Sequence, residues 1–132
     1  MSTLNVATIK SKTALTPPAV QDLNGVGIGT FCRAWVNFNG SGTVAIRAAF
    51  NVTSITDNGV GDYTVNFTNA MPDANYGIFG TIQNNGTAST GSIAIYTAVA
   101  PTASGARIYS SNAAAASQAA YDSAYISVSV FR

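Results

Sequence analysis

The 132-residue sequence has no histidine, no glutamate and a single cysteine, and its charged residues amount to 8%, against about 25% in ordinary soluble domains. Each absence removes a class of chemistry. A nucleophilic role for Cys32 needs an activating base, and no histidine is there to supply one. With Phe31 and Trp35 nearby, Cys32 reads as a packed thiol on a strand. A lone cysteine excludes an intrachain disulfide framework, and zinc chemistry loses its usual imidazole and thiolate ligands. No run approaches the ~20 apolar residues of a spanning helix. The opening MSTLNVATIKSK lacks the apolar heart of a signal peptide, so synthesis in a cytoplasm without membrane insertion is the expectation.

The net charge is +1, and the basic residues Lys10, Lys12, Arg33, Arg47, Arg107 and Arg132 are scattered. Neither a long-range field nor a basic cluster exists, so no nucleic-acid partner is expected.

What is present points to an all-β chain. Residues 1–29 hold a short TLNVATI alternation, then LTPPAV, then NGVGIG; Pro17 and Pro18 cannot donate ladder hydrogen bonds, and the segment reads as an attachment arm. GVGIG opens no helix and lacks the Lys-Ser/Thr pair of a phosphate loop, so no cofactor is expected there. From residue 30 to 132, short β-branched and aromatic segments alternate with Gly, Asn, Asp and Pro, which predicts an antiparallel β-sandwich. TFCRAWVNF and TVAIRAAF read as a hairpin, NVTSI and DYTVNFT as strands around the turn DNGVG, and NYGIFGTIQ, SIAIYTAVA, ARIYSS and YISVSVFR as further strands. Tyr63, Val65 and Phe67 share one face of their strand. The alanine-rich stretch 113–120 is expected to be a loop with one helical turn at most.

Several strands are apolar on both sides: Ala34, Val36 and Phe38 alternate with Trp35, and Phe79 opposes Ile82. A solitary antiparallel sheet leaves one face wet, so the second apolar face calls for a partner, most simply an identical subunit.

Reactive constellations are scarce. Asp57 and Asp62 flank NGVG, but further acidic ligands for calcium are lacking, and Asp22, Asp57, Asp62, Asp73 and Asp122 are the entire stock of acids for glycoside hydrolysis. Turn chemistry explains them better, and the chain is expected not to be an enzyme, with no catalytic, metal or cofactor site. Loops rich in Ser, Thr, Asn, Gly and Tyr remain. Such residues suit binding loops and equally fill ordinary ones. The candidates for receptor contact are Asn84, Asn85, Thr87, Ser89, Tyr96, Tyr109, Asn112, Gln118, Tyr121 and Tyr125.

The segment AWVNFNGSGTVAIRAAFNVTSITDNGVGDYTVNFTNAMPDANY, residues 34–76, resembles a recurrent domain of bacteriophage tail fibre proteins, common in phages of aquatic bacteria including cyanophages. MSTLNV and ISVSVFR resemble the opening and closing of such chains. The resemblance implies a structural virion protein on the phage tail, homotrimeric, docked through its N-terminal region on other tail or baseplate proteins. Its distal part would meet a host cell-surface glycan or protein. An adaptor or capsid decoration protein without receptor-binding activity is the alternative. Residues 77–122 depart from the pattern, and no heptad stalk is present.

Overall fold

The computed structural model describes residues 6–10, 18–84, 86, 90–96, 98–114 and 117–132. These contain strands and no helix. They divide into one unit ending at Phe31 and another running from Cys32 to Arg132.

In the first unit, β1 (Val20–Gln21) and β2 (Gly27–Gly29) form an antiparallel ribbon, an element the sequence reading did not anticipate. Asp22 organises its turn: the carboxylate Oδ1 accepts the N–H groups of Asn24 and Val26, both at 2.9 Å, and Gly25 takes φ +77°. Val20, Leu23, Val26 and Ile28 are all exposed. Strands this short enclose no core of their own.

The second unit contains two antiparallel sheets. One has the order β4 (Ala45–Phe50), β3 (Cys32–Asn39), β11 (Ile126–Phe131), β7 (Gly77–Ile82). The other is built on the long β9 (Gly105–Ala114), with β8 (Thr90–Ile95) along one edge. On the other edge β6 (Asp62–Phe67) and then β10 (Ser117–Ala120) pair with it in turn, and β5 (Val52–Gly59) lies outside β6.

Side chains alternate across each strand, and the inward sets meet. Ala34, Val36 and Phe38 of β3 with Ile126, Val128 and Val130 of β11 join Tyr63, Val65 and Phe67 of β6 and Ile108 of β9 in one buried cluster. The two sheets thus share a core in a sandwich-like arrangement, with Phe38 set edge-on to Tyr63 at 5.2 Å between ring centres.

Local chemistry fixes the crossings. A single residue, Asn51 at φ +54°, separates β4 from β5, a conformation asparagine tolerates better than most. Its amide donates to the carbonyls of Arg33 and Asn69 and accepts the Asn69 N–H. At the β5–β6 end, Gly61 (φ +66°) donates its N–H to Asp122 Oδ1 at 2.7 Å, and the Tyr63 hydroxyl donates to the same oxygen at 2.6 Å. Ser110 lies where β6 gives way to β10: its N–H donates to Gly61 O, its carbonyl accepts Tyr121 N–H, and its hydroxyl donates to Tyr121 O.

Two expectations change. The DNG of the supposed turn belongs to β5, since Asp57 pairs Tyr63 and Gly59 pairs Asp62, leaving Val60 and Gly61 as the turn. The stretch 113–120 is no loop: β9 continues through Ala114 and returns as β10, Ser117 opposite Ala114 and Ala120 opposite Ser111. Alanine's helical preference is a weak local bias, overridden here by ladder pairing and by side-chain bonds from Gln118 to Ser111 and Ser92.

Candidate functional site

The outward face of the β9 sheet is polar and closely cross-linked. Strand parity places Ser54 and Thr56 of β5, Asp62, Thr64 and Asn66 of β6, and Arg107 and Tyr109 of β9 on this side. Ser92 and Ala94 of β8 follow, opposite Ser111 and Tyr109. Asn66 Nδ2 donates to Ser54 Oγ and Thr56 Oγ1, and Asn58 Nδ2 donates to Thr64 Oγ1 at 3.0 Å.

Arg107 anchors the middle of this face. Its Nε donates to Asp62 Oδ1 at 2.8 Å and its Nη2 to Asp62 Oδ2 at 2.6 Å, a two-point ion pair with the carboxylate largely buried. The guanidinium holds the Asp62 carboxyl below its ordinary value of 3.8, and the carboxylate in turn raises the Arg107 value. The same guanidinium lies 4.4 Å from the centre of the Tyr96 ring. Tyr96 and Tyr109 are 6.3 Å apart and tilted by 58°, so their rings do not stack on each other. Together with Ala94, Ile95 and Gln118 they line a recess of about 350 Å³.

The structure thus brings three of the sequence-chosen candidates together: Tyr96, Tyr109 and Gln118. Asn84 and Tyr121 line a separate recess with Gln83, Gly86 and Ala124. Tyr125, 53% exposed, carries the Arg47 guanidinium 4.1 Å from its ring centre. Asn112 is 7% exposed, with neither amide atom hydrogen-bonded. Asn85, Thr87 and Ser89 lie outside the described residues.

The Asp57–Asp62 pair is taken up locally. Asp57 Oδ1 accepts the Gly59 N–H at 3.0 Å, and both Asp62 oxygens bond Arg107. Among the described residues no group of three acidic or cysteine side chains gathers to hold a metal ion. Sequence reasoning missed Arg107 and the serine pair Ser92 and Ser111; the alternation in ARIYSS, which puts Arg107, Tyr109 and Ser111 on one face, was the available signal.

The outward face of the other sheet differs in chemistry. Phe50 pairs with Trp35, Trp35 with Ser129, and Ser129 with Phe79, making one row across all four strands. Phe79 is 65% exposed, Phe50 55% and Trp35 39%, and Phe131 meets Phe79 edge-on at 5.7 Å.

No protein-family model matches the sequence, and no curated protein or solved structure gives a significant match. No helix among the described residues is long and apolar enough to cross a membrane.

Proposed function

We propose that this chain is a structural virion protein of the phage tail-fibre type: a β-sandwich that assembles as a homotrimer, attaches through residues 1–29 and presents loops to a host-surface receptor. The carrying observation is the exposed aromatic row Phe50–Trp35–Ser129–Phe79. Scattered exposed apolar residues are normal on a monomer, whereas aligned aromatic side chains mark an interaction surface. Burying Phe50 or Phe79 between copies is worth on the order of 1–2 kcal/mol each.

Two further features support the reading. The ribbon of β1 and β2 exposes Val20, Leu23, Val26 and Ile28, as suits a segment completed by another chain. Residues 34–76, which resemble tail fibre domains, provide β3 to β6 and with them much of the core. No catalytic constellation is invoked.

Competition for adsorption tests the function. Purified full-length protein is expected to slow attachment of the phage that encodes it, and an antibody against it should label the tail of intact particles. Label on the particle without any effect on adsorption would remove the receptor role and leave an adaptor or decoration protein; no label at all would overturn the virion assignment.

A further inference from the structure

The polar face of the β9 sheet carries a more specific reading, which rests on the receptor-binding function proposed above. We infer that the recess between Tyr96, Tyr109 and Gln118 binds a neutral pyranose unit of a surface polysaccharide.

A sugar ring offers an apolar C–H face and a rim of hydroxyls, and the recess answers both. The faces of aromatic rings carry negative charge density that attracts C–H groups. Tyr96 and Tyr109, tilted 58° to each other, line an open angle rather than a closed stack. Arg107 lies over the Tyr96 ring and is itself locked by Asp62, so Tyr96 is held in place before any ligand arrives. Ala94 and Ile95 complete the apolar wall.

The polar rim is equally fixed. Gln118 Nε2 donates to Ser111 Oγ at 2.6 Å and to Ser92 Oγ at 3.0 Å, and the two serine hydroxyls are 2.8 Å apart. With its amide nitrogen so committed, Gln118 retains its carbonyl oxygen to accept a sugar hydroxyl. Preorganisation of this kind lowers the ordering cost of binding.

Charge selects the class of sugar. Arg107 is the cation beside the recess, and Asp62 neutralises it at two points. A uronate or phosphate would meet a cation whose charge Asp62 already balances and gain little from it, whereas a neutral hexose needs no such charge. The volume of about 350 Å³ is at the small end of ligand sites, roughly 300–1,000 Å³, and suits a few sugar units at most.

The test is a glycan array of neutral and uronic-acid-containing bacterial oligosaccharides, probed with full-length protein and followed by titration of the strongest binder. Binding to neutral members is expected. Affinity should fall by at least about tenfold in Tyr96→Ala and in Tyr109→Ala, and less in Tyr96→Phe, which keeps the ring. Val60→Ala, at the exposed β5–β6 turn away from the recess, should bind as the native protein does. Circular dichroism and thermal unfolding confirm that each variant is folded; should Tyr96→Ala not fold, Gln118→Ala, at an exposed position, replaces it and is expected to weaken binding.

Preference for acidic sugars, or unchanged affinity in folded Tyr96→Ala and Tyr109→Ala, would overturn the inference. If those variants still block phage adsorption as the native chain does, the site is wrong while the receptor role survives. If the native chain binds neutral sugars through these tyrosines yet never affects adsorption, the site stands and the receptor role falls.

Discussion

Asn112 is poorly satisfied among the described residues. It shares the inward side of β9 with Ile108 and Ser110, both fully buried, and both atoms of its amide go without a hydrogen bond. An amide hidden in this way costs about 1–3 kcal/mol relative to an apolar group of similar shape. Asn112→Leu should therefore raise unfolding free energy by about that amount, measured by denaturant titration.

Tyr63 is the contrasting case, a buried phenol whose hydroxyl donates to Asp122 Oδ1 at 2.6 Å and lies 2.9 Å from Gly40 O. Tyr63→Phe should destabilise by about 1–3 kcal/mol, because the Asp122 carboxylate loses a charge-assisted donor. Burial first, and then the neighbouring Asp122 carboxylate, push the Tyr63 phenol far above its ordinary value of 10.0, and burial pushes Tyr76 up to about 12. The unfolded chain therefore releases phenolic protons before the folded one does. The stabilising contribution is whole below pH 10.0, the ordinary value, and is lost as pH rises beyond it. Titration of stability into alkali should show this decline, shallower in Tyr63→Phe.

Asp62 behaves in the opposite sense. Its folded value lies below 3.8, so its pairing with Arg107 contributes fully above that pH and is lost as the pH falls through the folded value. The stability difference between the native chain and Asp62→Asn should accordingly be largest at neutral pH and shrink on acidification below 3.8.

The strands β7 and β8, which belong to different sheets, interlock through glycines. A side chain at Gly80 would come within 2.9 Å of both Ile93 Cγ1 and the Ser127 carbonyl, and one at Gly91 within 2.4 Å of Ile82 Cγ1. Each glycine thus makes room for an isoleucine of the other strand. The Ser127 carbonyl cannot swing aside as a side chain can, so Gly80→Ala should cost about 1–3 kcal/mol in thermal or denaturant unfolding.

Strand existence was legible in the sequence wherever alternation was clean. DYTVNFT revealed its inward set of Tyr63, Val65 and Phe67, all buried, and AWVNF revealed Trp35 as the outward member. The β9–β10 hairpin was not legible, because its stretch from Ala113 to Ala120 has little alternating hydrophobicity and owes its shape to the β9–β10 ladder, with β8 pairing at Ala113. The same holds for the interlocked glycines. Gly80 and Gly91 look like loop punctuation until the partner isoleucines are known. Of the candidate site, the tyrosines were found by composition. Arg107 and Asp62 were not, since they are 45 positions apart in sequence and meet only through the β6–β9 ladder.

The two outward faces of the second unit divide the molecule's chemistry. One is a hydrogen-bonded polar surface organised by the Arg107–Asp62 pair; the other carries the row of Phe50, Trp35 and Phe79. A net charge of +1 means that identical copies scarcely repel one another. Association driven by aromatic burial should therefore depend little on ionic strength, since salt screens charges and not apolar contacts. Trp35, the sole tryptophan, lies within the row and reports directly: its emission should shift to the blue as concentration rises and copies cover it.

Sedimentation velocity of the full-length chain at micromolar concentration, alongside a Trp35→Ser, Phe79→Ser double variant, tests the central claim most directly. The native protein should sediment as a trimer and the folded double variant as a monomer. A native chain that remains a well-folded monomer throughout the concentration range would contradict the account.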